Sequence, residues 1–102
     1  MDRSSILTLI TTTQTQDTDG VWRPTSTRRE IYCDVRSISR DEFFEAGRNG
    51  LNPAYQFDVF GPDYQGERIC EWAGERFAIY RTYQTRTDTL ELYAQREGGT
   101  NG

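Results

Sequence analysis

Apolar residues fall at every second position in run after run of this chain, which is the period of a strand with one face in a core. The clearest run is Arg29–Ile38, REIYCDVRSI, where Ile31, Cys33 and Val35 share one face while Tyr32, Asp34 and Arg36 share the other. Ser5–Thr13 alternates apolar residues with threonine, and Ala54–Phe60 places Tyr55, Phe57 and Val59 together. Phe77, Ile79, Arg81 and Tyr83 read as one face of a strand, with Ala78, Tyr80 and Thr82 on the other; Leu90, Leu92 and Ala94 alternate with Glu91, Tyr93 and Gln95. Turn signals separate the runs: Asp19-Gly20, Pro62-Asp63 with Gly66, and Ala73-Gly74 as a tight hairpin. Pro24 cannot donate to a ladder, so its strand lies at an edge or breaks there. About six short antiparallel strands at hairpin spacing predict an all-β fold, a small β-barrel.

One segment departs from this period. Ser39 and Glu42 fit a capping box, in which Ser39 Oγ accepts from the Glu42 N–H and the Glu42 carboxylate returns to the N–H of Ser39. Asp41 and Glu42 suit the positive end of a helix dipole, and Gly47 is a natural left-handed stop. The expected helix has about eight residues and is about 12 Å long, too short to stand alone in water. Phe43 or Phe44 should anchor it; as neighbours about 100° apart they cannot both face one core. The segment Arg48–Pro53, RNGLNP, follows with breakers at Asn49-Gly50 and Asn52-Pro53. Extended, it reaches at most about 20 Å and would project beyond the barrel.

The chain has 102 residues, enough for one domain. We expect that domain over residues 1–97, with the helix-loop insertion at about 39–53 and a disordered tail at 98–102. Hydrophobic residues make up 34 % and aromatics 13 %, a balance that folds but leaves much polar surface. The net charge of -4 disfavours a nucleic acid as primary ligand, because such binders carry a basic footprint. All 12 basic residues are arginine, whose guanidinium suits bidentate pairing at interfaces. Histidine is absent and Cys33 and Cys70 lie far apart, so no metal site is expected, and no cofactor. The thiols should be reduced and buried, in a protein folded in cytosol. The weak apolar patch near the start does not make a signal h-region, and no run reaches the roughly 20 apolar residues of a membrane span.

A catalytic reading finds no nucleophile and base. The carboxylate pairs Asp41/Glu42 and Glu71/Glu75 read as capping or solvated acids, so no enzyme activity is expected. The tyrosines and arginines of Tyr80, Arg81, Tyr83 and Arg86 suggest a stacking platform for single strands, or a sheet face where tyrosines cover the core rim and arginines meet acids. Trp22 and Trp72 read as rim or core packing. Aromatics together with arginine are enriched at protein–protein contacts, which is the strongest functional hint in the composition.

Several elements stand in a set order and spacing: Ser39-Arg40-x-Glu42-Phe43, Ala46-Gly47-x-x-Gly50-x-x-Pro53, Asp63-Tyr64-x-Gly66-Glu67, Ala73-Gly74, Tyr80-Arg81-Thr82-Tyr83 and Leu90-Glu91-Leu92-Tyr93. Over about residues 30–96 the chain resembles the head closure (head-tail adaptor, or stopper) proteins of tailed bacteriophages. The resemblance implies a small β-barrel with an inserted helix and a mobile loop. It implies a homo-oligomeric ring, of about six or twelve copies, below the portal and adaptor ring in the neck of the virion. Such a ring closes the channel on double-stranded DNA and then docks a tail terminator or tail completion protein. It implies no membrane, no small molecule and no catalysis. The docking and channel-closing segment maps onto Ser39, Arg40, Asp41, Glu42, Phe43, Phe44, Arg48, Asn49, Leu51 and Asn52. The alternatives are an OB-like single-stranded nucleic-acid-binding domain and a tail completion or terminator ring protein.

Overall fold

The computed structural model describes residues 5–97; the tail expected at 98–102 lies outside the described residues. The chain runs β1 (Ser5–Gln16), β2 (Trp22–Ser37), α1 (Arg40–Arg48), β3 (Pro53–Phe60), a 3-10 turn (Gly61–Asp63), β4 (Ile69–Trp72), β5 (Glu75–Gln84) and β6 (Thr89–Arg96). The strands close a barrel in the order β1-β2-β3-β6-β5-β4, antiparallel at every junction given by the register. The all-β barrel with one short inserted helix is the architecture that the alternation predicts.

The alternating residues meet inside. Leu7, Leu9, Ile31, Cys33, Phe57, Val59, Cys70, Phe77, Leu92 and Ala94 form one buried cluster. Four aromatics interlock at its centre. Tyr55 meets Trp72 edge-on at 5.1 Å between ring centroids, and Phe57 meets Phe77 at 5.7 Å. These are the offset and T-shaped geometries that ring quadrupoles favour. Cys33 and Cys70 are buried and unbridged, and burial pushes their thiols up to about 11 and about 12.

Two buried carboxylates are satisfied by arginine. Asp58 accepts from Arg36 Nε at 2.7 Å and from Gln56 Nε2 at 2.7 Å. Glu67 accepts from Arg29 Nη2 at 2.6 Å and from the Gln65 N–H at 2.9 Å, while Arg29 also donates to the Asp63 carbonyl. Its carboxyl is held below the ordinary range: burial raises it, but Arg29 and the backbone donors outweigh that. Asp63, Tyr64 and Glu67 thus form one clamp that closes the loop before β4 over β2.

The turns follow their residues. Ala73 (φ 55) and Gly74 (φ 79) occupy the two left-handed positions of a two-residue hairpin, so the tight β4–β5 turn is as expected. The face reading of β5 fails at Tyr80. A register shift between Ile79 and Arg81 turns both Tyr80 and Arg81 toward α1, so strict alternation stops there.

β1 and β2 are longer than the barrel. They pair continuously from Ser5↔Cys33 to Gln16↔Trp22. β4 covers β1 only as far as Ile10, and β3 covers β2 only from Cys33. Beyond those points the two strands continue as a two-stranded arm whose residues from Thr11 to Gln16 and Trp22 to Arg28 are all exposed. The molecule measures 50 × 32 × 24 Å. Trp22 is 62 % exposed on this arm, so it packs on neither rim nor core as expected, whereas Trp72 does join the core.

Candidate assembly surface

α1 is built as its capping residue dictates. Ser39 Oγ accepts from the Glu42 N–H at 3.1 Å. The return bond of a capping box is not made. The Glu42 carboxylate turns to the barrel instead, where Tyr80 Oη donates to it at 2.7 Å and Arg81 pairs with it. Two charge-assisted bonds to the sheet outweigh one bond to the helix's own first N–H. Burial raises the Glu42 carboxyl, but Arg81 and Tyr80 outweigh that and hold it below 4.5. Arg81 also lies over the Tyr93 ring, 4.1 Å from its centroid, and Tyr93 is pushed up to about 12 by burial and Glu91. Three pieces of the ordered set seen in the sequence therefore converge on one helix dock: Glu42, the Tyr80-Arg81 pair and Tyr93.

The apolar anchor is not a phenylalanine. Ala46 is the buried residue of α1, and Leu51 is half-buried beside it. Phe43 is 49 % and Phe44 59 % exposed. Their rings touch only each other among aromatics, edge-on at 6.0 Å. The expectation that one of them holds the helix is corrected: with Glu42 turned inward, positions one and two residues later rotate away from the barrel. Gly47 is not the stop either. The helix runs through Arg48, Asn49 caps it with its N–H on the Ala46 carbonyl at 3.0 Å, and Gly50 (φ 79) takes the left-handed turn.

The RNGLNP segment does not project. The Leu51 N–H returns to the Ala46 carbonyl at 3.1 Å, and the Asn52 N–H donates to Gln95 Oε1 at 3.0 Å. Pro53 is buried as the first residue of β3. Arg40 and Asp41 are exposed in the first turn, and Arg48 pairs loosely with Glu45 at 3.3 Å. Between helix and sheet lies a cleft of about 410 Å³ lined by Glu42, Glu45, Ala46, Asn49, Leu51 and Arg81. Glu42 and Arg81 are engaged with each other and Glu45 with Arg48, so the cleft offers little unsatisfied chemistry to a ligand.

Of the ten positions expected to form a docking segment, the structure presents Arg40, Asp41, Phe43, Phe44 and Arg48 outward. It uses Ser39, Glu42, Asn49, Leu51 and Asn52 to hold the segment in place. The projecting element is the β1–β2 arm, which the sequence reading passed over. Its signal was present. Apolar alternation stops at Ile10 and resumes at Ile31, yet strand-favouring threonines continue on both sides of Asp19-Gly20. Strand without a core partner means a ribbon beyond the core.

A cluster of three or more metal-ligating side chains does not occur among the described residues. No helix among them is long and apolar enough to cross a membrane. No family model matches the chain, and no curated protein matches it. Among solved structures it is similar to the solution structure of protein SF1141 from Shigella flexneri 2a, with a TM-score of 0.74, 15 % identity and coverage of 94 % of both chains. At that identity the likeness is one of fold: the closed barrel and its arrangement are shared over nearly the whole length of both proteins.

Proposed function

We propose that this chain is a structural subunit of a bacteriophage head-tail connector, a non-enzymatic ring component that closes the DNA channel below the portal and adaptor and receives the tail. One observation carries the reading. A short helix is fastened to the barrel by Glu42 so that two adjacent phenylalanines face outward, each about half exposed. Large exposed apolar residues in a fixed orientation mark a contact surface. The ordered sequence set supports the same reading, because its members build the helix dock and the β4 clamp. A subunit of about a hundred residues can contribute a small core when neighbouring copies cover the rest of its apolar surface.

The experiment is electron microscopy of particles carrying the labelled protein. Label at the vertex between head and tail supports the proposal, and label elsewhere overturns it. A single-strand-binding role is checked separately by filter binding. Tight, steeply salt-dependent retention of single-stranded DNA favours that role instead. The pairing of Arg81 with Glu42 argues against it, since the guanidinium that a phosphate would need is already engaged.

A further inference from the structure

The arm has two edges, and they are not alike. The Asp17 N–H donates to the Val21 carbonyl, which makes that pair hydrogen-bonded. Hydrogen-bonded and non-hydrogen-bonded pairs alternate along an antiparallel ladder. Counting back, the pairs at Thr15, Thr13 and Thr11 are hydrogen-bonded, and those at Gln16, Gln14 and Thr12 are not. The main-chain groups of Thr12, Gln14 and Gln16 therefore point away from β2. They continue the side of β1 that β4 covers at Thr8 and Ile10. On the arm no strand takes them up among the described residues.

The opposite edge is protected. Pro24 pairs with Gln14, so its missing N–H falls on the outer side of β2. Arg23 and Arg28 flank it. Proline and charge are the usual guards of a strand edge. The β1 edge from Thr11 to Gln16, TTTQTQ, has neither.

We propose that the free chain forms a two-fold dimer through this edge, with Thr12–Gln16 of one copy pairing antiparallel to Thr12–Gln16 of a second copy. Gln14 faces Gln14 across the axis and Thr12 faces Gln16, each exchanging main-chain hydrogen bonds. No like charges meet, because the edge carries none. Hydroxyls of this kind already bond one another within the arm, as Thr15 and Thr25 do at 3.0 Å. Antiparallel pairing puts the two barrels at opposite ends of the paired arms. Each tip reaches the base of the other arm, where a cleft of about 340 Å³ lies between Thr11, Thr12 and the loop Gln65–Arg68. The tip brings Asp19 and exposed Val21; the cleft offers exposed Arg68 and the apolar side of Ile69. Asp19 and Arg68 are opposite in charge, and Glu67 beside Arg68 is already held by Arg29. The pairing closes on itself, because the remaining outer edges are those blocked by Pro24. A contact confined to two short strands is small, so the dimer depends on concentration.

The dimer goes beyond the neck reading and does not rest on it. The test is sedimentation of the purified full chain over a concentration series, with thiol cross-linking of Gln14→Cys and Ser26→Cys; Cys33 and Cys70 are buried in the core. A concentration-dependent dimer that cross-links through Gln14→Cys and not through Ser26→Cys supports the proposal. Thr12→Pro removes an outward N–H and leaves the β1–β2 ladder its bonds, so it abolishes the dimer with the fold intact by circular dichroism. Should it misfold, Thr12→Lys guards the same edge by charge and gives the same loss. Pro24→Thr opens the second edge and produces assemblies larger than two. A chain that stays monomeric throughout, equal cross-linking at Gln14→Cys and Ser26→Cys, or a Thr12→Lys chain that dimerises like the parent overturns it. So does protection of the Thr12, Gln14 and Gln16 amides by an added extended peptide while the chain alone remains single. Particles of the Thr12→Lys variant with normal necks leave the neck reading standing whatever the dimer does.

Discussion

Glu42 decides where α1 sits. Its side chain is only 11 % exposed and accepts from both Tyr80 and Arg81. Replacing it with glutamine keeps the shape and removes the charge. With Arg81 itself 43 % exposed, the expected cost is about 1–2 kcal/mol after discounting for solvent. Denaturant titration reads it. The pH dependence has a definite sign: the folded-state carboxyl is held below its ordinary range, so this contribution is present well above the ordinary carboxylate range and is lost as pH falls through the lowered folded value. Protection of the Ala46 and Leu51 amides, taken relative to the intrinsic exchange rate at each pH, should fall in that acid window, and in Glu42→Gln it should be low at every pH. Ala73 is the other residue with a local price, a non-glycine at φ 55. Ala73→Asn supplies the residue that a type I′ turn favours before glycine, and a gain of about 0.5–1 kcal/mol in unfolding free energy is expected.

At the scale of elements, what the sequence made legible was whatever depended on period. The strands carrying Ile31, Phe57, Phe77 and Leu92 lie inward as the alternation requires. Ser39 caps the helix for the same local reason that it can be recognised in sequence. Three features escaped, two because each is decided by a contact distant in the chain and one for want of a buried face. Glu42 abandons its own helix for Tyr80, 38 residues away. Tyr80 leaves its face because a bulge opposite β6 adds a residue to one strand. The arm is invisible to a search for buried faces because it has none. The helix makes its own prediction. Since Ala46 and Glu42 fasten it, the double substitution Phe43→Ser, Phe44→Ser should leave stability within about 0.5 kcal/mol, measured by thermal melting. On the neck reading proposed above, the same variant should yield particles without joined tails; loss of stability matching a core deletion would assign these rings to packing after all.

For the whole molecule, the core is one aromatic knot in a small barrel. Phe57, fully buried, touches Tyr55, Trp72 and Phe77. Phe57→Ala should cost about 3–5 kcal/mol, a large share of the stability of a domain this size, read as a lowered denaturant midpoint. Thiol labelling gives an independent measure of the same cooperativity. Cys33 and Cys70 are both fully buried, on strands either side of β1, and should react together at the rate of global unfolding. The join that completes the cylinder is the slightest of its six: β1 meets β4 over Thr8–Ile10 alone. β1 is also the strand that leaves the barrel to become the arm. A tug on the tip therefore travels along a single unbroken strand, past Leu9 and Leu7, directly beside the shortest seam. Whatever grasps the ribbon holds a lever on the closure of the cylinder itself.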